Sequence, residues 1–232
     1  MNLSSLHNLH SGRCFLLGNG ASLALAPFPL LSREPTFAVN RIAKLFPLTA
    51  FRPTFFVAAS TTFDEWYYKA INAVSLSFVW DEHRSRIDAY TEHLAYFSCT
   101  HTSHYEPSAA SSSWWQPDIT KGVCKFGTSL LAAAQIAVYL GFSPLYFIGC
   151  DLGMDAFSLD YYTEAEQEKR TTIPPSYITS AFVAAHRIIY AASQQHHFAA
   201  YNATMGGALE VYPRVDLLEL LAETTQLEPS HE

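Results

Sequence analysis

Basic residues are scarce in this sequence: Lys and Arg together number 14 against 21 Asp and Glu, for a formal net charge of −7 and a pI near 5.8. That balance offers no broad attraction to a polyanionic backbone, so nucleic acid is not expected as a main partner, although a small anion can still be bound locally. Cysteine is sparse too. Cys14, Cys99, Cys124 and Cys150 are widely spaced with no CxxC pair, and at least two lie in apolar runs where a free thiol packs as a small hydrophobe. Reduced thiols of a cytoplasmic protein are the expectation. No apolar run reaches the roughly 20 residues that span a bilayer. The longest, around Leu130 to Cys150, is interrupted by Gly141, Ser143 and Pro144. Residues Met1 to Arg13 are polar and lack the basic start and long apolar centre of a secretion signal. Export is therefore not expected, and peripheral attachment at the inner face of the membrane is left open.

Several catalytic signatures are also missing. There is no Gly-Lys-Ser/Thr of a P-loop, no full GxGxxG turn, no HExxH and no GxSxG elbow. The 10 histidines show no spacing typical of paired metal ligands, so no metal site is expected, and His196 and His197 read as surface or packed imidazoles at the entry to a strand. No internal repeat appears.

What is present is material for a core. With 49% hydrophobic and 14% aromatic residues, the 232-residue chain suffices for one α/β domain. Cys14 to Leu17 reads as a short buried strand ending in the turn Gly18-Asn19-Gly20-Ala21-Ser22-Leu23. Thr36 to Val39 and Thr54 to Ala58 read as two more strands, Asp64 to Asn72 as a helix, and Ala73 to Trp80 as another strand. Thr128 to Leu140 is an Ala-rich helix stopped at Gly141, and Leu145 to Ile148 a fully apolar strand ending at Gly149-Cys150-Asp151. A helix from about Ser176 to Gln194, a strand at His197 to Tyr201 and an amphipathic helix from Val215 to Thr224 complete the pattern. The stretches 101–118 and 152–175 have no period and read as loop or lid, and residues 1–12 and 226–232 as flexible ends.

Strands alternating with helices predict a Rossmann-like, mostly parallel sheet with helices on both faces, carrying a lid-like insertion. Ligands in such sheets sit beyond the carboxyl ends of the strands. Four polar turns share that rim in the predicted order: Gly18 to Ser22, Asn40, Ser60 to Thr62, and Asp151. Gly18 and Gly20 would let backbone pass close to a ligand, and the helix start after them would present free N–H groups to a phosphate. A plain strand-to-helix turn accounts equally for the glycines. Asn19, as a polar turn residue, is expected to contribute little to packing. Thr128 or Ser129 serves as a helix N-cap or offers its hydroxyl to a ligand. Asp151 caps the next element or bonds a ligand hydroxyl. Both readings stay open for each.

Four ordered blocks carry a family resemblance. LLGNGASL resembles the AGNGPSL opening of bacterial sialyltransferases that use CMP-sialic acid, and FAVNRI their second strand with its Asn. FFVAASTTFDEWYYKA is similar to their third strand and helix, and GTSLLAAAQIAVYLGFSPLYFIGCD to their Thr-Ser helix, LG turn and strand ending in Gly-x-Asp. The resemblance implies a metal-independent glycosyltransferase, working without a cofactor on a CMP-activated sugar as donor and a glycan as acceptor in surface-polysaccharide assembly. It implies that Asn19 and the amides of Gly18 and Gly20 meet the donor phosphate with Ser22 nearby, and that Asn40, Ser60, Thr128, Ser129 and Asp151 line the nucleotide and sugar pocket, Asp151 with a catalytic role. Tyr161 or Tyr162 would stabilise the departing phosphate. Where the family carries its general-base histidine, this chain reads Ile173-Pro174-Pro175-Ser176-Tyr177, and His186 falls inside a predicted helix as a packed or exposed residue. Archaeal 6-hydroxymethylpterin diphosphokinase domains are similar in the Gly-rich start and in Asn202 to Gly207, but Ala58-Ala59-Ser60-Thr61 stands where they carry a metal-binding Asp-x-Asp. A catalytically inactive nucleotide-sugar-binding protein is a third reading, and self-association is left open.

Overall fold

The computed structural model describes residues 1–61, 63–87, 93–101, 107–152 and 175–226. In chain order the strands are β1 (Cys14–Leu17), β2 (Thr36–Val39), β3 (Phe55–Ala58), β4 (Leu76–Trp80), β5 (Leu94–Phe97), β6 (Cys99–Thr100), β7 (Val123–Cys124), β8 (Leu145–Ile148) and β9 (Ala200–Asn202). Seven of them form one sheet in the order β5-β4-β3-β2-β1-β8-β9. Every pairing in it is parallel. The short strands β6 and β7 pair separately. The helices are α1 (Phe28–Leu31), α2 (Glu65–Ile71), α3 (Ser129–Tyr139), α4 (Pro175–Ser193) and α5 (Leu217–Gln226).

The strands are apolar throughout because both sheet faces are covered. In β1, Cys14 and Leu16 point into one core while Phe15 and Leu17 point into the other. The first core takes in α3 and α4 through residues such as Leu131, Ile136, Ala185 and Ile189. The second is closed by Leu31 of α1, Tyr67 of α2, and Leu217 and Leu221 of α5. The expected α/β architecture, with helices on both faces of a parallel sheet, is the observed one.

Two segments expected to be irregular or flexible are seen packed. Residues 1–12 lie over the carboxyl end of α3, where the amides of Asn8 and His10 donate to the carbonyls of Tyr139 and Leu140 at 3.0 and 2.9 Å. A helix leaves its last carbonyls without intrahelical donors, and this segment supplies two. Leu6 is buried there, and His10 stacks on Phe142 with ring centroids 4.8 Å apart. In the stretch 101–118, the described residues form short 3-10 turns, and Trp115 is buried against Phe198, centroids 5.2 Å apart. Phe198 precedes β9, so Trp115 sits toward the amino end of the sheet. The stretch 152–175 lies outside the described residues beyond Leu152, apart from Pro175 at the start of α4.

Gln135 is the polar exception inside α3. Buried in the core, it accepts from the amides of Gln116 and Cys124, each at 3.1 Å, and donates to the carbonyls of Cys124 and Leu131 at 2.7 and 2.8 Å. It thereby fixes the irregular segment and β7 to the helix. Gln135→Leu takes this partner from the Gln116 and Cys124 amides and the Cys124 carbonyl and should lower unfolding stability by about 2–4 kcal/mol in a urea titration. A change below about 0.5 kcal/mol would contradict the role given to Gln135 here.

Candidate functional site

The chain steps outward from β1 through β5, then returns to place β8 and β9 on the other side of β1. Strand order therefore reverses between β1 and β8, and the crevice beyond their carboxyl ends is the position where open α/β sheets hold ligands. Gly18 to Ser22 leaves β1 there, and Gly149 to Asp151 leaves β8 beside it.

The two exits are stitched together by backbone. The Gly18 amide donates to the Ile148 carbonyl at 2.8 Å, and the Gly20 amide to the Gly149 carbonyl at 2.9 Å. A methyl group on Gly18 would overlap the Gly149 carbonyl oxygen, and one on Gly20 would overlap the Asp151 carboxylate. These glycines thus meet a close approach between two turns of the same chain. The Asp151 carboxylate accepts from the Ser22 amide at 3.0 Å, at the start of the 3-10 turn Ala21–Leu25. The donor groups expected to face a phosphate are accordingly engaged within the protein: Gly18 and Gly20 by carbonyls, Ser22 by a carboxylate. The Ser22 hydroxyl is buried with no hydrogen-bond partner. Behind the turn, the Thr204 hydroxyl accepts from the Cys150 amide at 3.1 Å and the Asp151 carbonyl accepts from the Ala208 amide at 3.0 Å, so the Asn202 to Gly207 segment buttresses the β8 exit.

Asn19 is not an exposed turn residue. It is buried, and its side-chain amide donates to the Val39 carbonyl at 3.1 Å, linking the β1 exit to the end of β2. Asn40 follows with φ of 53°, a left-handed conformation that Asn tolerates better than most residues. The Asn40 side-chain oxygen accepts from the Ser129 hydroxyl at 2.8 Å and the Tyr67 hydroxyl at 3.3 Å. Thr128 is the N-cap of α3, its hydroxyl accepting from the Leu130 amide at 3.3 Å. Three bonds therefore tie this rim together: Asp151 to the Ser22 amide, Asn19 to the Val39 carbonyl, and Ser129 to Asn40. Ser60 lies farther along the rim, past the end of β3. Tyr161 and Tyr162 are outside the described residues.

Several polar rim residues escaped the sequence reading. Arg41 is buried, with its guanidinium 2.7 Å from Asp64, whose other carboxylate oxygen caps α2 by accepting from the Trp66 amide at 3.0 Å. His83 is buried past the end of β4, and its Nε2–H donates to the Ser60 carbonyl at 2.7 Å. Lys125, just after β7, is 3% exposed, with its Nζ 3.2 Å from the centroid of the Trp80 ring. Burial lowers the pKa of both His83 and Lys125 below their ordinary values. The signal for Lys125 was a lone cation between Cys124 and Phe126 in an otherwise apolar run. His186, by contrast, is packed away from the rim. It is buried against Phe147, its Nδ1 lies 2.9 Å from the Tyr212 hydroxyl, and burial pushes its pKa down to about 3. All four cysteines are free, and among the described residues no three His, Cys, Asp or Glu side chains are grouped to hold a metal ion. No described helix is long and apolar enough to cross a membrane.

Asp151→Ala should lower stability by about 1–2 kcal/mol, because it removes a charged acceptor from a partly buried amide. An unchanged midpoint in chemical denaturation would mean that the carboxylate does not hold the two exits together.

No protein-family model matches this chain, and no curated protein matches its sequence. Among solved structures, the MAf glycosyltransferase from Magnetospirillum magneticum AMB-1 is similar, with a TM-score of 0.56 and 16% identity over 95% of this chain. The match takes in 36% of that protein's length. At this identity the likeness is one of fold, and this chain shares its α/β architecture with part of a glycosyltransferase.

Proposed function

We propose that the chain is a sialyltransferase-like glycosyltransferase domain that holds a CMP-activated sugar in the crevice between β1 and β8 and transfers the sugar to a glycan. The observation that carries this reading is the group of polar side chains at and beside the switch point, Ser22 and Asp151 at the β1 and β8 exits and Asn40, Thr128 and Ser129 around the start of α3. The glycosyltransferase name of the structural neighbour supports it, as does the order of the four sequence blocks.

The hydrogen bonding within the crevice refines the roles. A phosphate would be repelled by the Asp151 carboxylate at the Ser22 amide, so the amino end of α3 is the better phosphate site. There the helix dipole and the Thr128 hydroxyl favour an anion, with Ser129 holding Asn40 alongside. Asp151 suits a hydroxyl of the ribose or sugar, which donates to a carboxylate. Gly18, Asn19 and Gly20 shape the floor by holding the β1 exit against β8 and β2. In the transfer step the oxygen of the acceptor hydroxyl forms the new glycosidic bond while the bond from sugar to phosphate breaks, the hydroxyl proton passes by way of the departing phosphate to solvent, and CMP leaves. Tyr161 or Tyr162 would donate a hydrogen bond to the departing phosphate. Work at the inner face of the membrane on a growing polysaccharide belongs to the same reading.

Calorimetric titration with CMP, CDP, UDP and GDP tests it. A preference for the cytidine nucleotides is expected, and Ser129→Ala should weaken CMP binding about ten-fold, or about 1.4 kcal/mol, with little change in melting temperature. Equal affinity for all four nucleotides would remove the CMP donor, and absence of any binding would remove the nucleotide reading. CMP binding without transfer to any glycan would point to the nucleotide-sugar-binding alternative.

A further inference from the structure

Away from the β1–β8 crevice, the same rim carries a second group of polar side chains. Trp80 ends β4, His83 follows in the 3-10 turn Asp81–Arg86, and Lys125 leads from β7 toward the amino end of α3. Three strand spacings separate β4 from β1, or about 14 Å.

Each polar group here is held in a specific state. The Ser60 carbonyl can only accept, so His83 must carry its proton on Nε2, and Nδ1 is left as a bare acceptor. Nδ1 is buried and has no hydrogen-bond partner. Lys125 Nζ is likewise buried with no hydrogen-bond partner. Among the described residues the Trp80 ring lies against the ammonium and also meets His83 edge-on with centroids 5.5 Å apart, while the Cys99 thiol acts on Lys125 through space but is held neutral by burial, its pKa pushed up to about 12. Glu82, the nearby carboxylate that acts on Lys125 through space, forms no ion pair with it and is exposed. An ammonium taken out of water is ordinarily paired or hydrogen-bonded, and a ring face replaces only part of that. The site thus offers three unused N–H donors with a positive charge beside one unused acceptor. Phe63, half-buried, lies against His83 with ring centroids 4.7 Å apart.

We propose that Lys125 and His83 form a binding site for an oxyanion of a sugar substrate, a carboxylate or a phosphate monoester. Lys125 holds the charge, and His83 Nδ1 accepts from a hydroxyl next to it. Trp80 fixes the ammonium, and Ser60 fixes the histidine tautomer through its carbonyl. The anion site stands on this geometry alone; that its anion is borne by a sugar rests on the glycosyltransferase reading.

The test is calorimetric titration of the full chain with glucuronate, inorganic phosphate and glucose, alone and with CMP present. Glucuronate or phosphate should bind while glucose does not, and whichever of the two binds identifies the oxyanion. Lys125→Met should lower that affinity at least ten-fold while leaving the melting temperature unchanged or raised, because it removes a buried charge. Should Lys125→Met fail to fold, His83→Gln must weaken the same binding. Equal affinity in wild type and variants, or no binding of either anion, overturns the proposal. Since CMP is titrated on the same protein, CMP binding without anion binding defeats only this inference. Anion binding lost on Lys125→Met in a chain that ignores all nucleotides leaves the site standing and defeats the donor reading.

Discussion

Two strands leave the sheet so close together that neither exit tolerates a side chain on its glycine nearest the other. The backbone of Gly18 and Gly20 lies against the Ile148 and Gly149 carbonyls, and the Asp151 carboxylate closes the contact on the Ser22 amide. Everything else at the rim is placed relative to that junction. Asn19 ties it to the end of β2, Asn40 carries the link to α2 and α3, and the Asn202 to Gly207 segment supports it from behind. A parallel sheet with a reversal of strand order would leave a crevice at this place in any event. What this chain adds is a floor whose Gly18, Gly20 and Ser22 amides are already engaged.

That floor decides where charge can go. With the turn amides engaged and a carboxylate in the crevice, an anion is better accommodated at the start of α3 than at the Gly-rich turn, even though the Gly-rich turn is the part that most resembles a phosphate loop in sequence. Two of the cations among the described rim residues, Arg41 and Lys125, are buried. Arg41 is neutralised by Asp64, whereas Lys125 rests on an aromatic face. Burying an ammonium without a hydrogen bond costs several kcal/mol, of which a desolvated cation–π contact returns about 2. Such a deficit is the mark of a group kept for something other than stability.

The parallel sheet was legible in the sequence because both of its faces are covered, so strands such as β1, β3 and β8 read as unbroken apolar runs between turn residues. The α3 helix and β8 were the clearest, since thirteen positions from Thr128 to Leu140 hold a strong helix pattern with an N-cap and a glycine stop. β5 was not read, being four residues with Tyr96 half-exposed, nor were the two-residue strands β6 and β7. Short strands owe their existence to neighbours rather than to their own pattern. The docking of residues 1–12 was hidden for the same reason: it depends on the free carbonyls of a helix more than one hundred residues away. At the site, the rim positions of Asn40 and Asp151 followed from topology. The role of the glycines did not, because a turn that approaches a ligand and a turn that approaches another turn have the same composition. His83 and Lys125 were missed because tautomer, burial and missing partners are properties of the folded chain.

The account rests on the β1–β8 crevice as the place where ligand binds, and amide hydrogen exchange with and without CMP tests this most directly. Protection on adding CMP is expected in peptides covering 18–22, 39–41, 128–131 and 149–152, with little change elsewhere in the sheet. Protection confined to other segments, or exchange unaffected by saturating CMP, would contradict it.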